Sequence, residues 1–344
     1  MPRIVQFDRI GGPENLVLRE VPVPEPTATE VRYRVEAFGL NYGELLWLAD
    51  TYYNSPTLPA RIGVEACGIV DAVGPDVTEF TIGDRVSAIP HSDGRYLVAG
   101  EWALTPERYL ARWSDRIPAE KACALWAQAI TAYYCMVELA KLGPGRTVLI
   151  TAGASTTGIG GIQMAKLLGA TVVASTRTDA KRDFLRRLGA DAVIDTDRDD
   201  LAVKLRDGTG GRGVDVVYDL VGGTMVARYL EGLAPCAQIY LVGVLDGVQT
   251  SFNVLPLIRS AATITGFSIF NHNPIDEHLR RAKSFIGKAS GEGKLNPVID
   301  RVFPFSETVA AYQYLATGQQ RGKIVVQVGA DVRTPGPSPF TNPA

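Results

Sequence analysis

The chain has 344 residues, 46% hydrophobic and 21% charged, a composition that suits two moderate folded cores and excludes the disordered and fibrous classes. The formal charge of -2 gives no basic excess for a phosphate backbone and no acidic tail for a basic partner, so no nucleic-acid ligand is expected. The start, MPRIVQFD, places charges where a secretory segment needs an apolar run, and no later stretch of about 18 apolar residues would span a bilayer; a cytoplasmic protein without membrane contact is expected.

Taken in chain order, residues 1–122 carry short apolar runs cut by Gly and Pro, at 31–39, 66–73 and 84–89, the texture of a compact β-rich domain with little helix. From about Ala122 the pattern changes. Residues 126–142 have helical periodicity, and from Thr147 short apolar strands alternate with longer amphipathic segments. That alternation predicts a parallel sheet with crossover helices, its strands at 147–152, 171–175, 192–194, 214–219, 238–243 and 263–267. A helix is predicted over 276–289 and strands over 302–305 and 323–328, returning the chain to its first domain. The expected division is therefore 1–122 with 268–333, an inserted 123–267, and a disordered tail at 334–344. Cys67, Cys123, Cys135 and Cys236 lie far apart, without zinc-site spacing or disulfide density, and are expected to be reduced and mostly buried.

The first strand of the predicted sheet runs into Gly153-Ala154-Ser155-Thr156-Thr157-Gly158-Ile159-Gly160-Gly161, followed by a predicted helix over 162–168. Small residues at such a turn let backbone N–H groups approach a pyrophosphate, and the helix N-terminus adds partial positive charge. The strand before the run and the helix after it raise the signal above that of a plain tight turn. At the tip of the second strand an acidic residue would favour NAD; here it reads Ala174-Ser175-Thr176-Arg177-Thr178, with Lys181 one turn on. Arg177 and Lys181 suit a 2′-phosphate, so NADPH is the expected cofactor, with Asp179 the residue that would oppose it.

The segments VLITAGASTTGIGGIQMAK (residues 148–166), GVDVVYDLVGG (213–223), Gly39-Leu40-Asn41-Tyr42 and Gly322-Lys323-Ile324-Val325-Val326 resemble the zinc-independent quinone oxidoreductases of the medium-chain dehydrogenase/reductase superfamily. The resemblance extends over nearly the whole chain. It implies an α/β fold in which a Rossmann doubly wound parallel sheet is inserted into a GroES-like (chaperonin-10-like) β-rich catalytic domain, binding NADPH and an electron-poor small molecule. By the same resemblance Asn41 and Thr131 meet the nicotinamide end of the cofactor. Ser155, Thr156 and Thr157 lie on the pyrophosphate turn, Arg177 and Lys181 at the 2′-phosphate, and Val242 and Gly243 after the fifth strand beside the nicotinamide.

Alcohol dehydrogenases of this superfamily hold catalytic zinc with a Cys and a Gly-His-Glu segment, where this chain has Asn41 and Gly63-Val64-Glu65. Without soft ligands zinc is poorly held, so no metal is expected. Glu65 is read as a structural carboxylate with an Arg or backbone partner, and His91-Ser92-Asp93 as surface groups. Hydride delivery without a metal requires an acceptor that is already polarised, a quinone or an alkene conjugated to a carbonyl. Tyr42 and Tyr52 are the candidate donors to the oxygen that gains charge, Tyr52 standing where related enoyl reductases carry a tyrosine acid. An enoyl-thioester reductase and a non-catalytic NADPH-binding protein are the alternative readings. The apolar sixth strand would leave an open sheet edge, so a homodimer is expected.

Overall fold

The computed structural model describes residues 1–52 and 54–329, which fall into two compact units: residues 128–296, and residues 1–127 with residues 297–329. The proposed disordered tail lies outside the described residues.

Within residues 128–296 six strands form one sheet: β1 (Thr147–Ile150), β2 (Thr171–Thr176), β3 (Ala192–Asp195), β4 (Val214–Asp219), β5 (Leu233–Leu241) and β6 (Thr263–Gly266). They run parallel in the order β3-β2-β1-β4-β5-β6, so the fold is a doubly wound Rossmann sheet. Apolar runs become parallel strands here because helices cover both faces; every residue of β4 is buried. The order reverses between β1 and β4, which places the ligand crevice of such a sheet beyond their carboxyl ends.

Several boundaries differ from the sequence expectation, three of them for a local reason. The fifth strand starts at Leu233 rather than Gln238, because Pro235 and Cys236 are absorbed in an irregularity where the β4–β5 register shifts and Cys236 has φ +58°. The segment 126–142 is not one α-helix: it is α-helical over Trp126–Ala132 and continues as a π-helix over Tyr133–Leu139. The helix Asp276–Gly291 packs inside this unit, with Phe285 5.2 Å from the Tyr133 ring and Arg281 Nε donating to Glu138 at 2.8 Å. The return therefore falls at Pro297 rather than near residue 268.

In the other unit, Glu30–Gly39 is the central strand, pairing antiparallel with Ala66–Val73, Trp102–Pro106 and Lys323–Gln327. The returning chain thus closes the first domain, Val325 lying opposite Gly39. A second sheet, of Val17–Glu20, Arg3–Phe7 and Ala60–Arg61, covers a core built around Phe7, Tyr33, Phe38, Leu48 and Tyr312. This is the GroES-like β-rich domain. Among the described residues no helix is long and apolar enough to cross a membrane.

Candidate active site

At the carboxyl end of β1 the turn is built for close approach. Ser155, not a residue near Ile162, starts the helix: its hydroxyl accepts from Gly158 N at 3.1 Å and donates to Ala152 O at 2.7 Å, capping the 12-residue helix Thr156–Leu167. The helix therefore begins inside the glycine-rich run: Gly158 lies against the backbone of the turn, and glycines 160 and 161 serve packing. A β-carbon at Gly158 would lie 2.5 Å from Ala152 O, at Gly160 2.8 Å from Gln128 Cβ, and at Gly161 3.0 Å from the Tyr218 ring. Ser155 Oγ is spent on the cap, and Thr156 and Thr157 stand in the first turn of the helix, where backbone N–H groups have no intrahelical acceptor.

Asp219, fully buried at the end of β4, organises the neighbouring strand ends. Its carboxylate accepts from Thr151 Oγ1 at 2.8 Å, from the backbone N–H of Val221 at 2.9 Å and of Gly222 at 3.2 Å, and from the Tyr229 hydroxyl at 3.0 Å. Its backbone oxygen takes the N–H of Val242 at 2.8 Å and of Gly243 at 3.1 Å. One residue thus ties the ends of β1, β4 and β5 together. Gly243 is obligatory, since a β-carbon there would sit 2.2 Å from Leu220 O.

At the tip of β2, Arg177 is exposed and the Thr178 hydroxyl caps the next turn through Ala180 N at 3.3 Å. Asp179 is turned to Arg182, which donates to it through Nε and holds its carboxyl below the usual range. Lys181 is half-buried one turn on, and Thr131 is buried in the helix Trp126–Ala132.

In the β-rich unit a buried polar cluster surrounds Asn41. Lys323 Nζ lies 2.5 Å from Glu65 Oε2 and 2.8 Å from Asn41 Oδ1, and neither Lys323 nor Glu65 has any exposed surface. Glu65 Oε1 accepts from Ala127 N at 2.9 Å, so the carboxylate has the expected backbone partner and a lysine in place of an arginine. Asn41 Nδ2 donates to Glu44 Oε1 at 3.1 Å and to Gly39 O at 3.3 Å. Glu44 also accepts from the Tyr312 hydroxyl and, at 3.3 Å, from Val64 N. Burial pushes the Glu44 carboxyl above its ordinary range, against the opposing pull of Tyr312, Asn41 and Lys323.

The family model described as alcohol dehydrogenase GroES-like domain matches residues 27–132, and that described as zinc-binding dehydrogenase matches residues 156–284. A 2-haloacrylate reductase of Burkholderia sp is 31% identical over 328 residues, 92% of this chain and 96% of that protein. A quinone oxidoreductase of Pseudomonas aeruginosa is 30% identical over 95% of this chain and 99% of its own. The chain belongs to the medium-chain dehydrogenase/reductase superfamily, in its quinone-oxidoreductase-like branch. Among solved structures of this superfamily, Escherichia coli quinone oxidoreductase complexed with NADPH is similar with a TM-score of 0.87 and 26% identity, covering 94% of this chain and 99% of that one.

For this superfamily member the two candidate tyrosines lie around one helix start. Tyr42 opens the helix Tyr42–Leu48 and is 37% exposed; Tyr52 is 40% exposed, its hydroxyl 3.2 Å from where a Gly43 β-carbon would stand. His91 is no surface group: it is 7% exposed, with its ring 4.8 Å from that of Tyr109. Asp93 accepts instead from Arg95 N at 2.9 Å, so the adjacent His-Ser-Asp run is no catalytic unit. Cys67, Cys123 and Cys135 are buried free thiols, and Cys236 is exposed. The sequence reading missed Lys323, Glu44, Tyr312 and Asp219. The signals available were a lysine opening an apolar strand and an aspartate closing one.

Proposed function

We propose that this oxidoreductase-family chain uses NADPH to deliver hydride to a quinone or an α,β-unsaturated carbonyl, without a metal. The observation that carries the reading is the Lys323 ammonium held between Asn41 and Glu65. At the two positions where the resemblance sets a zinc thiolate and the imidazole of Gly-His-Glu, this chain has Asn41 and Val64, and the adjacent Glu65 carboxylate is bound to a buried cation. That set lacks soft ligands, and its carboxylate is already neutralised by the lysine.

The cofactor fits the residues present. The crowded glycines bring backbone to the mouth of β1, so the first turn at Thr156 and Thr157, capped by Ser155, would hold the pyrophosphate. Arg177 and Lys181 would hold the 2′-phosphate; Asn41, Thr131, Val242 and Gly243 would meet the nicotinamide end. NADPH, when bound, supplies the hydride. The chain's own task is to orient the acceptor and place a donor at the oxygen that gains charge, for which Tyr52 and Tyr42 are the candidate donors. We assign the cofactor's phosphates to residues 128–296 and the acceptor's donors to the β-rich unit. The cytosol suits its free thiols.

NADPH consumption with a panel of quinones, enones and a crotonyl thioester, before and after chelation, tests the proposal. Turnover of quinones or enones unchanged by chelator, with no stoichiometric zinc on elemental analysis, is the expected result. A retained equivalent of zinc removes the metal-free mechanism, and preference for the thioester moves the reading to an enoyl reductase.

A homodimer is also proposed, with β6 as its edge. Among the described residues this strand pairs only with β5, and the segment leading into it exposes Val248, Val254, Leu255 and Ile258.

A further inference from the structure

We propose that Lys323 is a positioning residue: it fixes the Asn41 amide so that the cofactor meets a hydrogen-bond acceptor at that position and not a donor. The inference rests on the reading that Asn41 faces the nicotinamide end of NADPH. An asparagine amide can present either edge, and its neighbours decide which. Here two independent constraints agree. The ammonium of Lys323 has only hydrogens to offer, so the edge 2.8 Å from it is Oδ1. On the other side stand two acceptors, Glu44 Oε1 at 3.1 Å and Gly39 O at 3.3 Å, which take both hydrogens of Nδ2. What remains for a ligand is the second lone pair of Oδ1, polarised by the adjacent cation. That edge suits an N–H or O–H of the cofactor, such as its carboxamide N–H or ribose hydroxyls.

The cation is itself held in place. Glu65 neutralises it, Glu65 is anchored by Ala127 N, and the lysine stem passes against bare backbone, since a β-carbon at Gly39 would lie 2.4 Å from Lys323 Cε. Glu65 alone would neutralise a buried lysine, so the bond to Asn41 goes beyond what burial of the charge demands. Asn41 is also freed from capping: it stands at the N-cap of the helix Tyr42–Leu48, yet its side chain makes no cap bond.

The test compares dissociation constants of NADPH and of 2′,5′-ADP, which lacks the nicotinamide and its ribose, for four proteins. These are the parent, Asn41→Ala, the charge-removing pair Lys323→Met/Glu65→Gln, and the triple variant, each checked for folding by its melting curve. Removing both charges avoids leaving one buried and unpaired. Expected is a loss for NADPH of about 3- to 10-fold in Asn41→Ala and a similar one in the pair, with 2′,5′-ADP unchanged. The triple variant should be no worse than Asn41→Ala, because the two changes act through one contact. A parent-like pair beside a weakened Asn41→Ala overturns the role of Lys323 while leaving Asn41 in the cofactor site. Losses that multiply in the triple variant also overturn it, and a parent-like Asn41→Ala overturns both readings. A crystal structure of the parent with NADPH decides the matter even if the pair fails to fold: Oδ1 against a cofactor N–H or O–H is expected, and Nδ2 against a cofactor oxygen refutes the inference.

Discussion

The carboxylate of Asp179 is taken by the Nε–H of Arg182, whose Nη1 in turn reaches the backbone oxygen of Val193 at 2.6 Å. The acid closest to the tip of β2 is thereby turned to its own helix, and Arg177 faces solvent beside it. A planar guanidinium can pair two oxygens of a 2′-phosphate, a contact worth roughly 1.5 to 3 kcal/mol, or about 10- to 150-fold in affinity. Arg177→Ala is expected to weaken NADPH by about that factor and to leave NADH nearly unchanged, as read by fluorescence titration. Equal losses for the two cofactors would make Arg177 a solvated surface cation.

Asp219 joins three strand ends, so its removal should act on stability and binding together. Asp219→Ala leaves the Thr151 hydroxyl, the N–H groups of Val221 and Gly222 and the Tyr229 hydroxyl without their acceptor. Leaving a buried donor without its acceptor costs about 1 to 3 kcal/mol. Chemical denaturation should show a loss on that scale, and NADPH affinity should fall because Val242 and Gly243 hang from the same residue. A midpoint unchanged from the parent contradicts this role.

The strands were legible as short runs bounded by Gly or polar residues, and in β4, buried on both faces, no alternation is needed. What local pattern hid has a physical cause in each case. The helix start at Ser155 lay inside the glycine-rich run, since a serine cap and packing glycines look like an extended turn. The start of β5 was masked by Pro235, tolerated at the register irregularity. The Asn41 cluster is long-range: Lys323 is separated by 258 residues from Glu65 and by 282 from Asn41, and Tyr312 by 268 from Glu44. No periodicity encodes such contacts. The resemblance placed Asn41 at the site but said nothing of the lysine behind it.

The open edge of β6 gives a test of assembly. Ile258 is 69% exposed on the helix that leads into that strand, and a single charge there would be buried without a partner in a pairing of two copies. Light scattering should find a dimer for the parent at micromolar concentration and a monomer for Ile258→Asp with its fold retained. A monomeric parent removes the proposal.

Tyr52→Phe keeps the ring over Gly43 and deletes only the hydroxyl. If that hydroxyl donates to the oxygen gaining charge, turnover should fall by about 10² to 10³ with little change in NADPH affinity. A rate within a few-fold of the parent assigns Tyr52 to the wall, and Tyr42→Phe then becomes the informative variant.

The buried ring of His91 predicts how stability depends on pH. Burial lowers its pKa from 6.5 to about 4, and Nδ1 has no hydrogen-bond partner among the described residues. In the folded protein the imidazole therefore stays neutral while the unfolded chain takes up a proton. Between pH 6.5 and about 4 the unfolded state binds more protons, so stability falls as pH falls; above 6.5 the contribution is complete. A shift of this size corresponds to about 2 to 3 kcal/mol lost across the window. Tyr96 and Tyr109 would accept a phenyl ring in place of the imidazole, their centroids standing 5.8 and 4.8 Å from it. His91→Phe should thus melt like the parent or slightly higher at pH 7.5 and lose visibly less stability by pH 4.5. Parallel pH profiles for parent and variant would show that His91 is not the residue that takes up the proton on unfolding.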